Sequence, residues 1–215
     1  MEKGIKGVRL LVLTDSNEFR SHEEVARAAI EGGAQAIQLR TKRESTKEAL
    51  EIGKRIKAMC KGKVLFIVND RLDLAMALGA DGLHLGQEDM PIEFVKELSK
   101  KSGKELMIGL STHSLEQAMD AEKRKPHYIS FGPIFPSRKK PSSIPVGTEK
   151  LRNACKRVNI PVIAIGGINR DNVEEVMRAG AQGVAVVSAI SEATDPKRAA
   201  QELFEKINAT INEAL

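Results

Sequence analysis

Residues 64–89 read VLFIVNDRLDLAMALGADGLHLGQED. Two short apolar runs, Val64–Val68 and Gly82–Leu85, enclose an amphipathic stretch, Arg71–Leu78, and Gly79 stands just beyond it. The brief runs, rich in β-branched residues and Leu, predict buried strands, and the stretch between them repeats its apolar residues at the helical period. A glycine after the last helical residue accepts the left-handed conformation that stops a helix. Two strands joined through a helix run parallel, because the crossover returns the chain to the same end of the sheet. Near-continuous apolar strands are covered on both faces.

Working outward, the same unit recurs in both directions. Upstream lie Val8–Thr14 with Glu23–Ile30, and Ala36–Leu39 with Thr46–Met59. Downstream, Ile92–Lys100 follows Gly82–Leu85, then come Leu106–Leu110 with Leu115–Lys123, and Tyr128–Phe131 with Glu149–Val158 after a long loop. Pro161–Ile165 with Asn172–Ala179 and Gly183–Val187 with Pro196–Ile211 bring the count to eight units. Glu31-Gly32-Gly33-Ala34 and Ala179-Gly180-Ala181-Gln182 repeat the glycine punctuation. Eight strand–helix units in 215 residues predict an α/β protein, a single (β/α)8 TIM barrel spanning residues 1–215. The rival, a doubly wound sheet with a dinucleotide site, needs Gly-x-Gly-x-x-Gly after the first strand, where Leu13-Thr14-Asp15-Ser16 stands instead.

Composition narrows the function. Aromatic residues make up 3% of the chain and Trp is absent, which removes the stacking platforms that single-stranded nucleic acids need. The net charge of +5 comes from Lys and Arg interleaved with Asp and Glu along the helices, the pattern of solvated faces and not of a polyanion track. No apolar stretch approaches the ~20 residues of a membrane span, and Met1–Gly7 is short and charged, so a cytoplasmic location is expected. Cys60 and Cys155 lie far apart in helical stretches and suit reduced thiols with no metal or disulfide role. The expected partners are therefore small phosphorylated molecules, with neither nucleic acid nor membrane, and self-association is left open.

In such a barrel the residues at the strand carboxyl ends converge on one face. After the second strand, Gln38-Leu39-Arg40-Thr41-Lys42 places Gln38, Arg40 and Lys42 at alternate positions, which in extended chain share one side and form an anion clamp. Asn69-Asp70-Arg71 and Gln87-Glu88-Asp89 end the next two strands. Asp70 and Asp89 together suit Mg²⁺, which takes a few carboxylates and completes its shell with water and substrate phosphate; singly, each is also a candidate helix cap. Ser111-Thr112-His113-Ser114 follows the fifth run, with Ser114 placed to cap the next helix, Ser111 to orient a ligand, and His113 either packed or a proton carrier. No Gly-x-Ser-x-Gly elbow supports a hydrolase. His84, inside its strand, reads as structural. The loop Pro136-Ser137-Arg138-Lys139-Lys140-Pro141 carries three consecutive cations and is either a lid over an anion or a solvated loop. Ile165-Gly166-Gly167-Ile168 and Val186-Val187-Ser188-Ala189 end the last two strands, where barrels commonly hold a phosphate on backbone N–H groups.

In this order the motifs resemble the family of thiamin phosphate synthases. The likeness is carried by Gln38-Leu39-Arg40-x-Lys42, Val68-Asn69-Asp70-Arg71, the run from Gly79 to Asp89, Ile108-Gly109-x-Ser111-Thr112-His113, Phe131-Gly132-Pro133-Ile134-Phe135-Pro136, Ala164-Ile165-Gly166-Gly167-Ile168 and the run from Gly183 to Ile190. The resemblance implies an enzyme, a transferase that joins hydroxymethylpyrimidine pyrophosphate to thiazole phosphate with release of pyrophosphate. It implies Mg²⁺ on Asp70 and Asp89, and the pyrimidine pyrophosphate on Gln38, Arg40, Lys42, Asn69, Ser111 and Lys140, with Arg40, Lys42, Ser111 and Lys140 acting in catalysis and Leu39 and Thr41 inside the binding segment. It implies the thiazole phosphate on Ser137, Arg138, Lys139, Gly167, Val187 and Ser188. One departure stands out: where the family's lid reads Pro-Thr-x-Thr-Lys, this chain has Pro136-Ser137-Arg138-Lys139-Lys140, a cation in place of the second hydroxyl.

Two other readings remain open at this level. The related thiazole tautomerases resemble the Ser111-x-His113-Ser114-Leu115-Glu116 and Gly166-Gly167 regions and would make His113 the catalyst, but they leave Asp70 and Asp89 without a role. A binding protein for thiamin precursors would keep the phosphate pocket and turn nothing over.

Overall fold

The computed structural model describes residues 4–137 and 142–213. Eight strands pair in chain order, all parallel: β1 (Leu10–Leu13), β2 (Ala36–Leu39), β3 (Leu65–Asn69), β4 (Gly82–Leu85), β5 (Met107–Thr112), β6 (Tyr128–Phe131), β7 (Val162–Ile165) and β8 (Gly183–Val186). The β8–β1 pairing, Val184 beside Leu10 and Val186 beside Val12, closes the barrel. Around it run α1 (His22–Glu31), α2 (Thr46–Cys60), α3 (Leu72–Ala77), α4 (Ile92–Lys101), α5 (Leu115–Lys123), α6 (Gly147–Arg157), α7 (Val173–Arg178), α8 (Ser188–Ser191) and α9 (Pro196–Asn212). This is the expected (β/α)8 barrel. No helix among the described residues is long and apolar enough to cross a membrane.

The strands alternate between two apolar layers, as the pleat requires. Ile37, Leu39, Val68, Leu83 and Leu85 pack outward against helix residues such as Val25, Ile56 and Leu203. Leu11, Leu13, Ala36, Leu65, Ile67, Tyr128, Ile163 and Ala185 fill the interior, joined by Ile5 and Val8 from the segment before β1. Sequence signals also set the helix starts. Ser21 and Ser45 each accept a hydrogen bond from the backbone N–H three residues on, and the side chains of Glu24 and Glu48 answer to the cap backbone, so two otherwise orphan donors are satisfied at each end.

Several boundaries differ from the sequence reading, with consequences for the site. β3 runs on to Asn69 and β5 to Thr112, so Asn69 and Ser111 are held by strand pairing and not by loops. The four-residue helix α8 follows β8 directly; it is too short for a periodic pattern to reveal. Where the barrel is tightest, only glycine fits. A Cβ on Gly109 would lie 2.2 Å from the Tyr128 ring and 2.6 Å from His84 Nδ1, and one on Gly132 would lie 2.0 Å from the Ile165 carbonyl oxygen.

Candidate active site at the carboxyl end of the barrel

A cavity of about 550 Å³ opens at the strand carboxyl ends, within the range of small-molecule sites. Its floor is polar where the rest of the interior is apolar. The pleat turns His84, Ser111, Tyr128 and Ser130 inward, and the His84 ring bonds Tyr128 Oη through Nδ1 and Ser111 Oγ through Nε2, each at 3.0 Å, with Ser130 Oγ 3.3 Å from Nε2. His84 is buried, yet it lines the cavity, so the structural role read from sequence is incomplete. Its position two residues after the inward Gly82 was the available signal. Burial pushes the Tyr128 hydroxyl well above its ordinary range, so it stays a neutral donor or acceptor.

One wall carries the cations. Gln38, Arg40 and Lys42 all line the cavity, as their alternation predicts. Arg40 reaches Asp15 at 3.4 Å and Lys42 reaches Asp70 at 2.5 Å. Gln38 is 2% exposed, and its Oε1 has no hydrogen-bond partner. A buried acceptor left unmade costs roughly 1–3 kcal/mol, which marks this atom as one that a ligand donor can satisfy. Leu39 faces the other way into the helix-side core, and Thr41 does not line the cavity.

The two carboxylates meet. Asp70 adopts φ 62°, a left-handed conformation uncommon outside glycine, fixed by its N–H donating to His84 O at 2.8 Å. It is not a cap: α3 begins after Arg71 with no side-chain cap bond. Nor is Asp89, since Pro91 is the N-cap of α4, with no side-chain cap bond, and Asp89 Oδ2 instead accepts from Gly86 N–H at 2.6 Å. Burial, followed by a hydrogen bond with the Asp70 carboxyl and that group's charge, raises the Asp89 carboxyl above its ordinary range, against the pull of Gly86 N–H and Lys42. An Asp89 carboxyl raised by burial and by a neighbouring carboxyl marks a place short of positive charge. Among the described residues no cluster of three or more His, Cys, Asp or Glu side chains forms, so what the protein offers a cation here is this pair. That donor set fits a hard divalent ion whose remaining ligands are water and substrate oxygens.

A second wall comes from the ends of β7 and β8 and the segment after β6. Ser137, Gly166, Gly167, Ile168, Val187 and Ser188 line it. Gly167 adopts φ 66°, and a Cβ there would sit 2.5 Å from the Pro136 carbonyl oxygen, so the chain passes closer than any side chain allows. Arg138, Lys139 and Lys140, in the loop read as either a lid over an anion or a solvated loop, lie outside the described residues. Ser114 caps α5 as expected, accepting from Gln117 N–H at 3.2 Å. His113 also lines the cavity, its Nδ1 2.5 Å from the Gly132 carbonyl oxygen, and Gln87, whose side chain donates to Ser111 O, borders it as well. Cys60 is buried and Cys155 partly so.

Comparison with known proteins accords with this geometry. The model of the thiamine monophosphate synthase family matches residues 10–190. Thiamine-phosphate synthase from Pyrococcus furiosus is 45% identical over 205 residues, covering 95% of this chain and 97% of the relative. The protein of the same name from Archaeoglobus fulgidus is 44% identical over 197 residues, 91% of each chain. Among solved structures, thiamine phosphate pyrophosphorylase from Pyrococcus furiosus superposes with a TM-score of 0.88 at 42% identity, covering 95% of this chain and 97% of that one. With the family model matched along most of its length and relatives of this identity across nearly all of it, the chain belongs to the thiamine monophosphate synthase family.

Proposed function

We propose that this protein is a thiamin phosphate synthase, a cytoplasmic transferase that joins hydroxymethylpyrimidine pyrophosphate to thiazole phosphate. The observation that carries the reading is one cavity lined on one side by Arg40, Lys42 and the Asp70–Asp89 pair and on the other by Gly167 and Ser188. It offers room for two anionic groups on facing walls, as a reaction between two phosphorylated partners needs.

The bond between the pyrimidine methylene carbon and the pyrophosphate oxygen breaks, and its electron pair leaves with pyrophosphate. The cationic methylene left behind is delocalised into the aminopyrimidine, and the thiazole nitrogen lone pair forms the new C–N bond. Arg40 and Lys42 stabilise the charge that grows on the leaving group, where preorganised donors in a site sheltered from water act most strongly. Mg²⁺ held by Asp70 and Asp89 would add positive charge at the same oxygens. Gln38 Oε1, buried without a protein donor, accepts from the pyrimidine amino group, and Asn69 and Ser111, which line the same cavity, orient the ring and its pyrophosphate. Ser137, Gly167, Val187 and Ser188 hold the thiazole phosphate, with Arg138, Lys139 and Lys140 supplying charge from the adjoining segment. No side chain is called on as a nucleophile; the protein supplies alignment and charge.

The purified protein is expected to release pyrophosphate only when both precursors and Mg²⁺ are present, with thiamin phosphate formed in equal amount. Metal-independent isomerisation of a thiazole carboxylate phosphate, abolished by His113→Ala, would instead establish the tautomerase. Tight binding of both precursors with no turnover would establish a sensor.

A further inference from the structure

Behind the cation wall lies a buried polar chain that the reaction does not touch. Thr14 directly follows β1 and is fully buried. Its N–H donates to Gln38 O at 2.9 Å, and its hydroxyl oxygen accepts from Arg40 N–H at 3.3 Å. His22, the first residue of α1 and 2% exposed, places Nδ1 2.9 Å from Thr14 Oγ1 and Nε2 2.9 Å from Glu44 Oε1. Glu44 belongs to the segment that carries Arg40 and Lys42, and its carboxylate also accepts from Ser16 Oγ at 2.9 Å and from Arg43 N–H at 3.1 Å. Burial would raise the Glu44 carboxyl, but these bonds, His22 foremost, outweigh it and hold it down at about 2. Neither His22 nor Glu44 lines the cavity.

The proton assignment is set by the partners. An ionised carboxylate only accepts, so Nε2 carries a hydrogen toward Glu44. Nδ1 pairs with the Thr14 hydroxyl, whose oxygen also accepts from Arg40 N–H. The segment after β2 is thus fastened at both ends of the Arg40–Glu44 stretch to one imidazole standing on α1: at Arg40 through Thr14, and at Glu44 directly.

We propose that His22 is a positioning residue for the pyrophosphate clamp. With Thr14 and Glu44 it fixes the backbone from which Arg40 and Lys42 reach the leaving group, and it contacts no substrate itself. Such fastening matters because charge stabilisation depends on geometry held within a fraction of an ångström. This inference rests on the synthase reading for the identity of the substrate, but the pyrophosphate site it describes can be probed without turnover.

The experiment compares wild type with His22→Ala, Glu44→Ala and Glu44→Gln, by steady-state kinetics on both substrates and by calorimetric binding of inorganic pyrophosphate with Mg²⁺. His22→Ala and Glu44→Ala are expected to raise KM for the pyrimidine pyrophosphate and Kd for pyrophosphate about tenfold, with KM for the thiazole phosphate changed less than about twofold. Glu44→Gln keeps an acceptor for the imidazole N–H and is expected to recover most of the loss. Glu44 sits near the surface, so its variants keep the test alive should His22→Ala fail to fold. Equal changes in both KM values, unchanged pyrophosphate affinity in folded variants, or Glu44→Gln behaving like Glu44→Ala would each overturn the proposal. Wild-type protein that binds pyrophosphate but makes no thiamin phosphate would sink the synthase reading alone, since the Kd comparison still decides the role of His22.

Discussion

Replacing Asp70 and Asp89 together by Asn is expected to lower kcat/KM for pyrophosphate release by about a thousandfold while the barrel stays folded. The Asp70 carboxyl stands beside that of Asp89 in a partly buried site and helps to raise it, an arrangement that costs free energy when both are ionised. Asn keeps the shape and part of the hydrogen bonding but offers a divalent ion no charge. The same substitution removes the repulsion, so the melting temperature should hold or rise. A loss of activity with no loss of stability is the signature of a site whose residues were placed for chemistry at the expense of folding. Steady-state kinetics and thermal melts on the same preparations measure both halves. A parallel fall in stability would show the pair to be structural.

The second large effect belongs to the cation wall. Arg40→Ala is expected to cost about a hundredfold in kcat/KM, and Arg40→Lys to restore little, because a planar guanidinium offers paired donors to phosphate oxygens that an ammonium cannot. Lys42→Ala should cost a similar factor, but it also frees Asp70, to which Lys42 is bonded. Residues that share a partner do not act independently, so Lys42→Ala combined with Asp70→Asn should cost less than the product of the two single effects. Kinetics of the two singles and the double close that cycle; strict multiplication would mean that the Lys42–Asp70 contact plays no part in function.

The barrel was legible because its signal is local. Each strand is a short apolar run, each helix a periodic stretch, several of them ended by a glycine such as Gly79 or Gly180, and eight such units leave few other arrangements. The shared side of Gln38, Arg40 and Lys42 was legible for the same reason: they alternate in extended chain, and all three line the cavity. Residues whose roles depend on distant partners were harder to read. Asp70 and Asp89 each look like helix caps in isolation, and only the tertiary fold turns Asp70 into a left-handed conformation and aims Asp89 at Gly86 N–H. His84 looks structural until Tyr128, Ser111 and Ser130 arrive from two other strands to make it the floor of the cavity. The His22–Glu44 contact joins residues 22 positions apart through no pattern that a sequence window contains. Arg138, Lys139 and Lys140 carry their charge in the sequence, and their part in closing over a ligand is a proposal.

On the proposed mechanism, catalysis needs a divalent ion held between Asp70 and Asp89 against the pyrophosphate that Arg40 and Lys42 would grip. Calorimetric titration of Mg²⁺ into the protein with inorganic pyrophosphate present, repeated on the Asp70→Asn/Asp89→Asn variant, tests this most directly. Wild type should show saturable binding that needs both ion and pyrophosphate, and the variant should show none at the same concentrations. A variant that takes up the ion and pyrophosphate as tightly as wild type would contradict it.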